Sequence, residues 1–196
     1  MNLEKTIENL KSRGFSVSYF ETGVEAADYI VANTKGKSVG IGGCQTAQQL
    51  ALYEKLSEEC EVYWHWKEPG IETLSKANSA DVYISSANAI SQDGEILNID
   101  GRGNRLAGQV YGNKKLYIVA GINKLCPDFN SALNRARNVA EVKNGQRFDT
   151  KTPCKLDGVC HDCRCEDRIC RALLVMWGPM IGMDTEVIII NEELGY

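Results

Sequence analysis

The sequence lacks any long hydrophobic run, and no stretch approaches the roughly 18 uninterrupted apolar residues typical of a membrane helix. The opening MNLEKTIENLKSRG is rich in charge and has no apolar core of a signal peptide. Positive charge is also scarce, because 22 Lys and Arg stand against 26 Asp and Glu, a formal net charge of −4. We therefore expect a cytoplasmic protein without a nucleic-acid or membrane partner.

Two kinds of catalytic motif are missing as well. The chain has 2 histidines, His65 and His161, and no Ser–His–Asp arrangement can be assembled from them. It contains neither the GxxxxGK[ST] loop nor the GxGxxG loop, so no nucleotide-cofactor motif is found.

What is present is an alternation of strand and helix patterns. We expect strands at 15–20, 38–42, 61–65, 81–91, 95–99, 116–122, 172–177 and 186–190. We expect helices at 3–13, from Thr22 onward, at 46–56, at 71–78, toward Tyr111 and at 128–142. This order predicts one α/β domain over 1–196, with a mostly parallel or mixed sheet and helices on both faces. Strand 95–99 and the final two strands are predicted to be closer to hairpin connections.

A first glycine loop, residues 42–46, follows a strand and precedes a helix in VGIGGCQTAQQLAL. Glycines permit positive φ, and amides at a helix start can converge on an anion. The candidate ligand-binding residues are Gly42, Gly43, Cys44, Gln45 and Thr46. A tight turn with no ligand explains the pattern equally well.

A second glycine loop, residues 100–105, reads DGRGNR. The candidates here are Gly101, Gly103, Asn104 and Arg105 for ligand binding, and Asp100 as an acid/base group. The alternative is that Asp100 and Asn104 only cap a helix and complete the turn.

Both loops follow strands, and ligands of open α/β sheets bind beyond the carboxyl ends of the strands. We therefore expect the two loops to share one cleft that binds a small anionic metabolite. The segment AGINK adds Asn123 or Lys124 to the same rim.

Five of the 8 cysteines lie in KTPCKLDGVCHDCRCEDRIC, within the cysteine segment, which we define as residues 150–171. Cys160 and Cys163 have the C-x2-C spacing by which two thiolates hold one ion. Four Lys and Arg side chains surround the thiols and are expected to lower thiol pKa, which favours reversible oxidation. A metal site, redox-active thiols and unreactive surface thiols all remain open.

The stretches SANAISQDGEILNIDGRGNRLAG, LYIVAGINKLCPDFNSALNRARNVA and TPCKLDGVCHDCRCEDRIC, together with the final VIIINEELGY, resemble the LUD-domain (lactate-utilisation domain) family. The resemblance extends over most of the chain from about residue 38. It implies a fold similar to ribose-5-phosphate isomerase, glucosamine-6-phosphate deaminase and the CoA transferases, whose glycine loops bind phosphosugar, nucleotide or acyl ligands. No residue matches the glutamate nucleophile of the CoA transferases, so the resemblance does not imply transferase activity.

The resemblance also implies a role in a multi-protein system that oxidises L-lactate to pyruvate beside iron–sulfur partners. Cysteine-bearing members have Ser–Pro where this chain has Cys165 and Glu166, so the shared positions are Cys154, Cys160, Cys163 and Cys170. Four thiolates can hold zinc or an iron–sulfur cluster. The expected function is a component of organic-acid utilisation. The alternative is a non-catalytic subunit or thiol/metal sensor that docks an iron–sulfur oxidoreductase. A homo-oligomer stays open.

Overall fold

The computed structural model describes residues 2–196, in which ten strands form two sheets. The strands are β1 (Ser16–Phe20), β2 (Ser38–Ile41), β3 (Glu61–Trp64), β4 (Val82–Ser85), β5 (Ala89–Ser91), β6 (Ile96–Asp100), β7 (Lys115–Gly121), β8 (Leu125–Cys126), β9 (Ala172–Met176) and β10 (Asp184–Ile190). The larger sheet has the order β1-β10-β7-β4-β2-β3. All of its strands are parallel, as repeated strand–helix–strand units predict.

The smaller sheet has the order β8-β5-β6-β9 and is mixed. β6 is antiparallel to both β5 and β9, whereas β8 is parallel to β5. The hairpin expectation is therefore correct for β6 and wrong for β10, which lies inside the parallel sheet between β1 and β7. The near-continuous apolar run Val187–Ile190 is the sequence signal for such a doubly covered strand.

Nine α-helices lie within residues 2–196. They are α1 (Leu3–Ser12), α2 (Gly23–Thr34), α3 (Gln45–Gln49), α4 (Leu52–Leu56), α5 (Ile71–Asn78), α6 (Asn104–Val110), α7 (Phe129–Arg135), α8 (Glu141–Arg147) and α9 (Pro153–Asp157). A π-helical stretch at Ala136–Ala140 joins α7 to α8, and a 3-10 turn at Ile122–Lys124 follows β7.

Both faces of the parallel sheet are buried. Ile188 and Ile190 of β10 pack with α2, α3 and α4, while Val187 and Ile189 pack with α1, α5 and the smaller sheet. The far face of the smaller sheet packs against α7 through Ala132. The α/β class is confirmed, with the smaller sheet taking part of the place of helices on one face.

The expected strand 81–91 is two strands in two sheets. β4 ends at Ser85, and the chain leaves the parallel sheet before β5 begins at Ala89. The break is fixed by Asn88, whose amide donates to Asn98 Oδ1 at 3.1 Å and whose side-chain Oδ1 accepts from the Ile99 amide at 2.6 Å. These long-range contacts are invisible in a continuous β-like sequence pattern.

The expected helix 46–56 is also divided. Ala51 has a φ of 50°, in the left-handed region, and separates α3 from α4. Leu50 and Leu52 are both buried in the same cluster. Two positions along one continuous helix are about 200° apart around its axis, so the break lets both side chains face the core.

Helix starts follow the sequence more closely than helix ends. Thr22 caps α2 in a reciprocal capping box with Glu25, and Asp128 Oδ1 accepts from the Ser131 amide at 2.7 Å to start α7. The helix expected to end at 142 continues to Arg147. No helix in residues 2–196 is long and apolar enough to cross a membrane.

Candidate functional site

The main cavity, of about 730 Å³, opens at the carboxyl ends of the parallel strands. It is lined by residues that directly follow β2, β3, β4 and β7, as expected for an open α/β sheet. Residues of the second glycine loop, α8 and the cysteine segment complete its wall. Both glycine loops therefore reach one cavity of the size typical for small-molecule sites.

The first glycine loop contributes Gly43, Cys44 and Gln45 to the lining. Gly42 lies behind them, where its carbonyl accepts from Trp64 Nε1 at 2.9 Å and its amide donates to the Ile84 carbonyl. Thr46 is buried beneath the lining. These two candidates support the loop and do not lie in its exposed surface.

Cys44 occupies the N-cap of α3. Its Sγ accepts from the Ala47 amide at 3.3 Å, and the residue is buried. The sulfur thus takes the role that a serine hydroxyl usually takes at a helix start.

The second glycine loop contributes Asp100, Gly101, Asn104 and Arg105, whereas Gly103 starts α6 with a φ of 87°. Asp100 Oδ1 accepts from the Arg102 and Gly103 amides, each at 2.9 Å. One of the two carboxylate oxygens is thus already hydrogen-bonded within the turn. Its other oxygen, Oδ2, lies 3.5 Å from Arg105 Nε.

Arg105 connects strand β6 with the loop between β4 and β5. Its guanidinium donates to Asn98 Oδ1 at 2.6 Å and to the Ile99 carbonyl, and lies 3.5 Å from Asn88 Oδ1. With Asp100 as a fourth partner, most of its donors are already engaged inside the protein.

Asn123 is turned toward the C-terminal segment. Its Oδ1 accepts from the Leu194 amide at 3.1 Å, and its carbonyl accepts from Arg135 Nε at 2.8 Å. The next residue, Lys124, lines the main cavity in its place.

Lys124 is a buried amine, 3% exposed. Its Nζ contacts Ser86 Oγ at 2.7 Å and Thr46 Oγ1 at 3.1 Å, so it connects the ends of β2, β4 and β7. Burial lowers the pKa of Lys124 to about 7, against the opposing effect of Cys44.

Glu141 is a cavity residue that the sequence reasoning missed. It is buried, and both carboxylate oxygens are without a hydrogen-bond partner among residues 2–196. Burial raises its pKa to about 7, while Arg105 acts in the opposite direction. The available signal was an acidic residue next to Ala140, which lies on the buried side of an amphipathic helix.

His65 and Tyr196 also line the main cavity, and within the described chain the His65 Nδ1 and the Tyr196 hydroxyl have no hydrogen-bond partner. The sequence reasoning gave His65 little weight as an isolated strand-end histidine. Burial lowers the pKa of His65, so the neutral imidazole is favoured.

The lining has more positive than negative side chains. Its cations are Arg102, Arg105, Lys124, Arg147, Arg168 and Arg171, and its carboxylates are Asp100 and Glu141. Arg147 lies 4.7 Å over the Trp66 ring and donates to Asn144 Oδ1 at 3.0 Å. The surplus of positive charge makes the cavity attractive to anions.

A second cavity, the cysteine cavity, has a volume of about 350 Å³. Its lining includes the four expected metal positions, Cys154, Cys160, Cys163 and Cys170. Cys165 lies outside that lining, with its Sγ 3.5 Å from Cys163 Sγ. Which of the five thiols would hold a metal therefore stays a prediction from the resemblance.

These thiols face one cavity without being gathered around one point. In residues 2–196, no group of three or more His, Cys, Asp or Glu side chains is arranged to hold a metal ion. Metal binding therefore stays a prediction that requires the segment to tighten around the ion.

The expected lowering of thiol pKa is wrong for two of the cysteines. Burial raises the pKa of Cys170, and the hydrogen bond to Cys163 raises the pKa of Cys165. Arg168 acts in the expected direction on Cys170 but is outweighed by burial.

The two cavities share a wall. Glu141, Arg168, Ile169 and Arg171 line both of them. The contact is close: a Cβ on Gly101 would lie 2.4 Å from the Ile169 carbonyl oxygen, and the Arg171 amide donates to the Asp100 carbonyl at 2.9 Å.

Comparison with known proteins agrees with this architecture. A DUF162 family protein from Deinococcus radiodurans has a similar structure, with a TM-score of 0.60, 12% sequence identity and 96% of each chain covered. At that identity the likeness shows the fold alone. None of the curated proteins compared with this chain matches it. The family model of the LUD domain matches residues 3–190, and the chain therefore belongs to the LUD-domain family.

Proposed function

We propose that the protein binds a small organic anion in the main cavity and acts in lactate-type organic-acid utilisation. The family is associated with lactate utilisation, which supports the metabolic setting. The observation on which the proposal rests is the lining itself, where five arginines and Lys124, whose pKa is lowered to about 7, meet the carboxyl groups of Asp100 and Glu141. A ligand with one or two carboxylates would offset part of that positive charge.

Arg102 and Arg147 are the best placed of these cations for a ligand. Arg168 and Arg171 donate to backbone carbonyls of the cysteine segment, and Arg105 connects β6 with the loop between β4 and β5. Within the described residues, the guanidinium of Arg102 makes no hydrogen bond, and that of Arg147 makes one. Their free N–H groups suit bidentate binding of a carboxylate.

Isothermal titration calorimetry with L-lactate and pyruvate tests this assignment. We expect Arg102→Gln and Arg147→Gln each to weaken binding by about tenfold or more, the loss of one charge-assisted hydrogen bond. Arg137→Gln is a matched control, because Arg137 lines only the cysteine cavity. Unchanged affinity in both test variants would refute the site. Arg105→Ala is a less specific test, because it also removes the hydrogen bonds from the guanidinium to Asn98 and Ile99.

A second candidate function is metal or redox chemistry in the cysteine segment, favoured by the four thiols that line one cavity. Cys154, Cys160, Cys163 and Cys170 would hold zinc as a structural clamp, or an iron–sulfur cluster as an electron carrier. Either would anchor a segment that has only one short helix, α9.

Metal analysis with an absorption spectrum, on protein purified without oxygen, separates these outcomes. Zinc with a featureless visible spectrum supports the clamp, and iron with sulfide supports the cluster. The double variant Cys160→Ser/Cys163→Ser should lose the metal, while Cys165→Ser should keep it. Metal-free wild-type protein would overturn the metal site and leave redox chemistry of the thiols, which oxidation of the protein tests.

The segment is also where we propose that an iron–sulfur oxidoreductase partner docks. Co-purification with such a partner from the native host should depend on residues 150–171. It should be lost in the Cys160→Ser/Cys163→Ser variant and kept in Cys60→Ser, which lies outside the segment. Equal recovery of the partner with both variants would exclude this docking site.

A further inference from the structure

Lys124 has no acidic partner despite its burial. Its amine contacts only the hydroxyls of Ser86 and Thr46, and no ion pair among residues 2–196 includes it. Buried lysines are rare unless paired, because the ammonium loses its hydration without compensation. A backbone carbonyl or an amide would join these loop ends at lower energetic cost.

The environment of the amine favours its neutral form. Arg105 and Arg135 oppose the ammonium and Cys44 favours it, but burial dominates and brings the pKa to about 7. A large fraction of the amine is therefore unprotonated at neutral pH. An unprotonated amine is a nucleophile, and a desolvated lysine is the usual origin of enzymatic imines.

The lining of the main cavity also restricts which ligands can reach the amine of Lys124. Lys124 lines the same cavity as Arg102 and Arg147, whose free donors suit a carboxylate. Glu141, His65 and Tyr196 add buried polar atoms without partners to that cavity. A substrate that satisfies both features has a carboxylate and a carbonyl group.

We propose that Lys124 is a catalytic nucleophile that forms an imine with a small 2-oxo acid held by the cavity arginines. This inference rests on the proposed function and specifies its substrate class. The Nζ lone pair attacks the ketone carbon, and the carbonyl oxygen takes a proton to give a carbinolamine. The nitrogen then loses its remaining proton as the hydroxyl leaves as water. Amine and ketone thus give imine and water, with no change in oxidation state.

The imine has a defined use. When protonated on nitrogen, the imine withdraws electrons from the neighbouring carbon, so a proton there becomes easier to remove than in the free ketone. Ser86 Oγ, 2.7 Å from Nζ, can accept and return a proton during formation and loss of water.

Reductive trapping tests the proposal on the whole protein. Pyruvate with sodium cyanoborohydride should add the mass of pyruvic acid less one oxygen atom, once per chain, and peptide mapping should place it on Lys124. L-lactate, which lacks a carbonyl, should give no adduct. Lys124→Met should lose the adduct, while Lys37→Met, at an exposed position, should keep it. Adducts absent from Lys124, or spread evenly over surface lysines, would overturn the proposal.

Two further results keep the outcome interpretable. Because the adduct is mapped in the wild-type protein, the test does not depend on folding of Lys124→Met. Calorimetric binding of pyruvate without trapping would overturn the imine and leave anion binding intact. Failure of both pyruvate and L-lactate to bind would overturn the imine together with the proposed function.

Discussion

At the scale of single residues, burial of charge sets the chemistry of the main cavity. Lys124 and Glu141 are both buried where the sheet ends, and each has its pKa moved to about 7, one downward and one upward. The same cause, removal from water, acts on a cation and on an acid and so brings their pKa values together. The stability of the fold is lower for containing them, which is typical of functional sites.

The first residue-scale prediction concerns Lys124 and pH. Its pKa is lower in the folded state, so the folded protein binds fewer protons than the unfolded chain between the two pKa values. Its contribution to stability is full above the unfolded pKa and is lost as pH falls toward 7. Lys124→Met removes this cost, so its free energy of unfolding should exceed that of wild type. That difference should shrink by about 2–3 kcal/mol between about pH 7 and about pH 9. Urea unfolding measures this, and a pH-independent difference would contradict it.

The second residue-scale prediction concerns the two closest thiols. Cys163 and Cys165 Sγ atoms are 3.5 Å apart, so small motions bring them to bonding distance. Mild oxidation should remove two hydrogens from the protein mass, and a reductant should restore them. Cys165→Ser should abolish the change, while Cys60→Ser, at an isolated cysteine, should not. Loss of two hydrogens in the Cys165→Ser variant would assign the bond elsewhere.

At the scale of elements, the local sequence predicted where helices begin, and whether a segment is helix or strand, better than it predicted where an element is interrupted. The capping box at Thr22 and the span of α5 follow directly from the sequence. The left-handed Ala51 and the departure of the chain after Ser85 do not. Both breaks depend on distant partners, the shared core in one case and Asn98 in the other. The hydrophobic pattern of a single segment contains no information about such partners elsewhere in the chain.

Gly40 in β2 is predicted to be irreplaceable in the packing of α5. A Cβ there would lie 2.1 Å from the Ala77 carbonyl oxygen, a backbone atom that cannot rotate away. Gly40→Ala should lower the free energy of unfolding by about 3 kcal/mol. Gly43→Ala is the matched control, because its Cβ would make an ordinary contact at 3.5 Å with Trp66. Equal denaturation midpoints for the two variants would show that α5 can move away from β2 without loss of stability.

The cap of α2 gives a second element-scale prediction. Thr22 Oγ1 accepts from the Glu25 amide at 3.3 Å, and Glu25 Oε2 accepts from the Thr22 amide at 3.0 Å. Thr22→Ala should lower the free energy of unfolding by about 1 kcal/mol. Val24→Ala on the same turn, 65% exposed, should change it by less than about 0.5 kcal/mol. Thermal unfolding of both variants measures these losses. A larger loss of stability in Val24→Ala than in Thr22→Ala would show that the capping hydrogen bonds do not stabilise α2.

At the scale of the whole molecule, the site combines predictable and unpredictable parts. Convergence of the two glycine loops follows from strand order and the geometry of parallel sheets. The contributions of α8 and the cysteine segment do not, because Glu141, Arg147 and Arg168 reach the cavity only through tertiary packing. Arg105 stood in a loop that looked suited to a ligand, yet its partners are the Asn88–Asn98 pair across the smaller sheet.

The shared wall predicts that the two cavities are coupled. Gly101→Ala would place a Cβ 2.4 Å from the Ile169 carbonyl and push the cysteine segment from the second glycine loop. Because Arg168 and Arg171 move with that segment, calorimetric affinity for the organic anion should fall by about tenfold or more. Val24→Ala is the control, since Val24 is 65% exposed on α2 and lines neither cavity. Retained affinity in Gly101→Ala would show that the cavities act independently.

The close contact of Gly101 with Ile169 has one further consequence, for attempts to shorten or exchange parts of this chain. A cysteine-rich stretch between α8 and β9 resembles an insertion that could be excised, yet it supplies one side of the main cavity. Excision would leave Glu141 facing water and remove two arginines from the lining of the main cavity. A chimera that keeps the main cavity intact must therefore transplant residues 100–105 and 150–171 together.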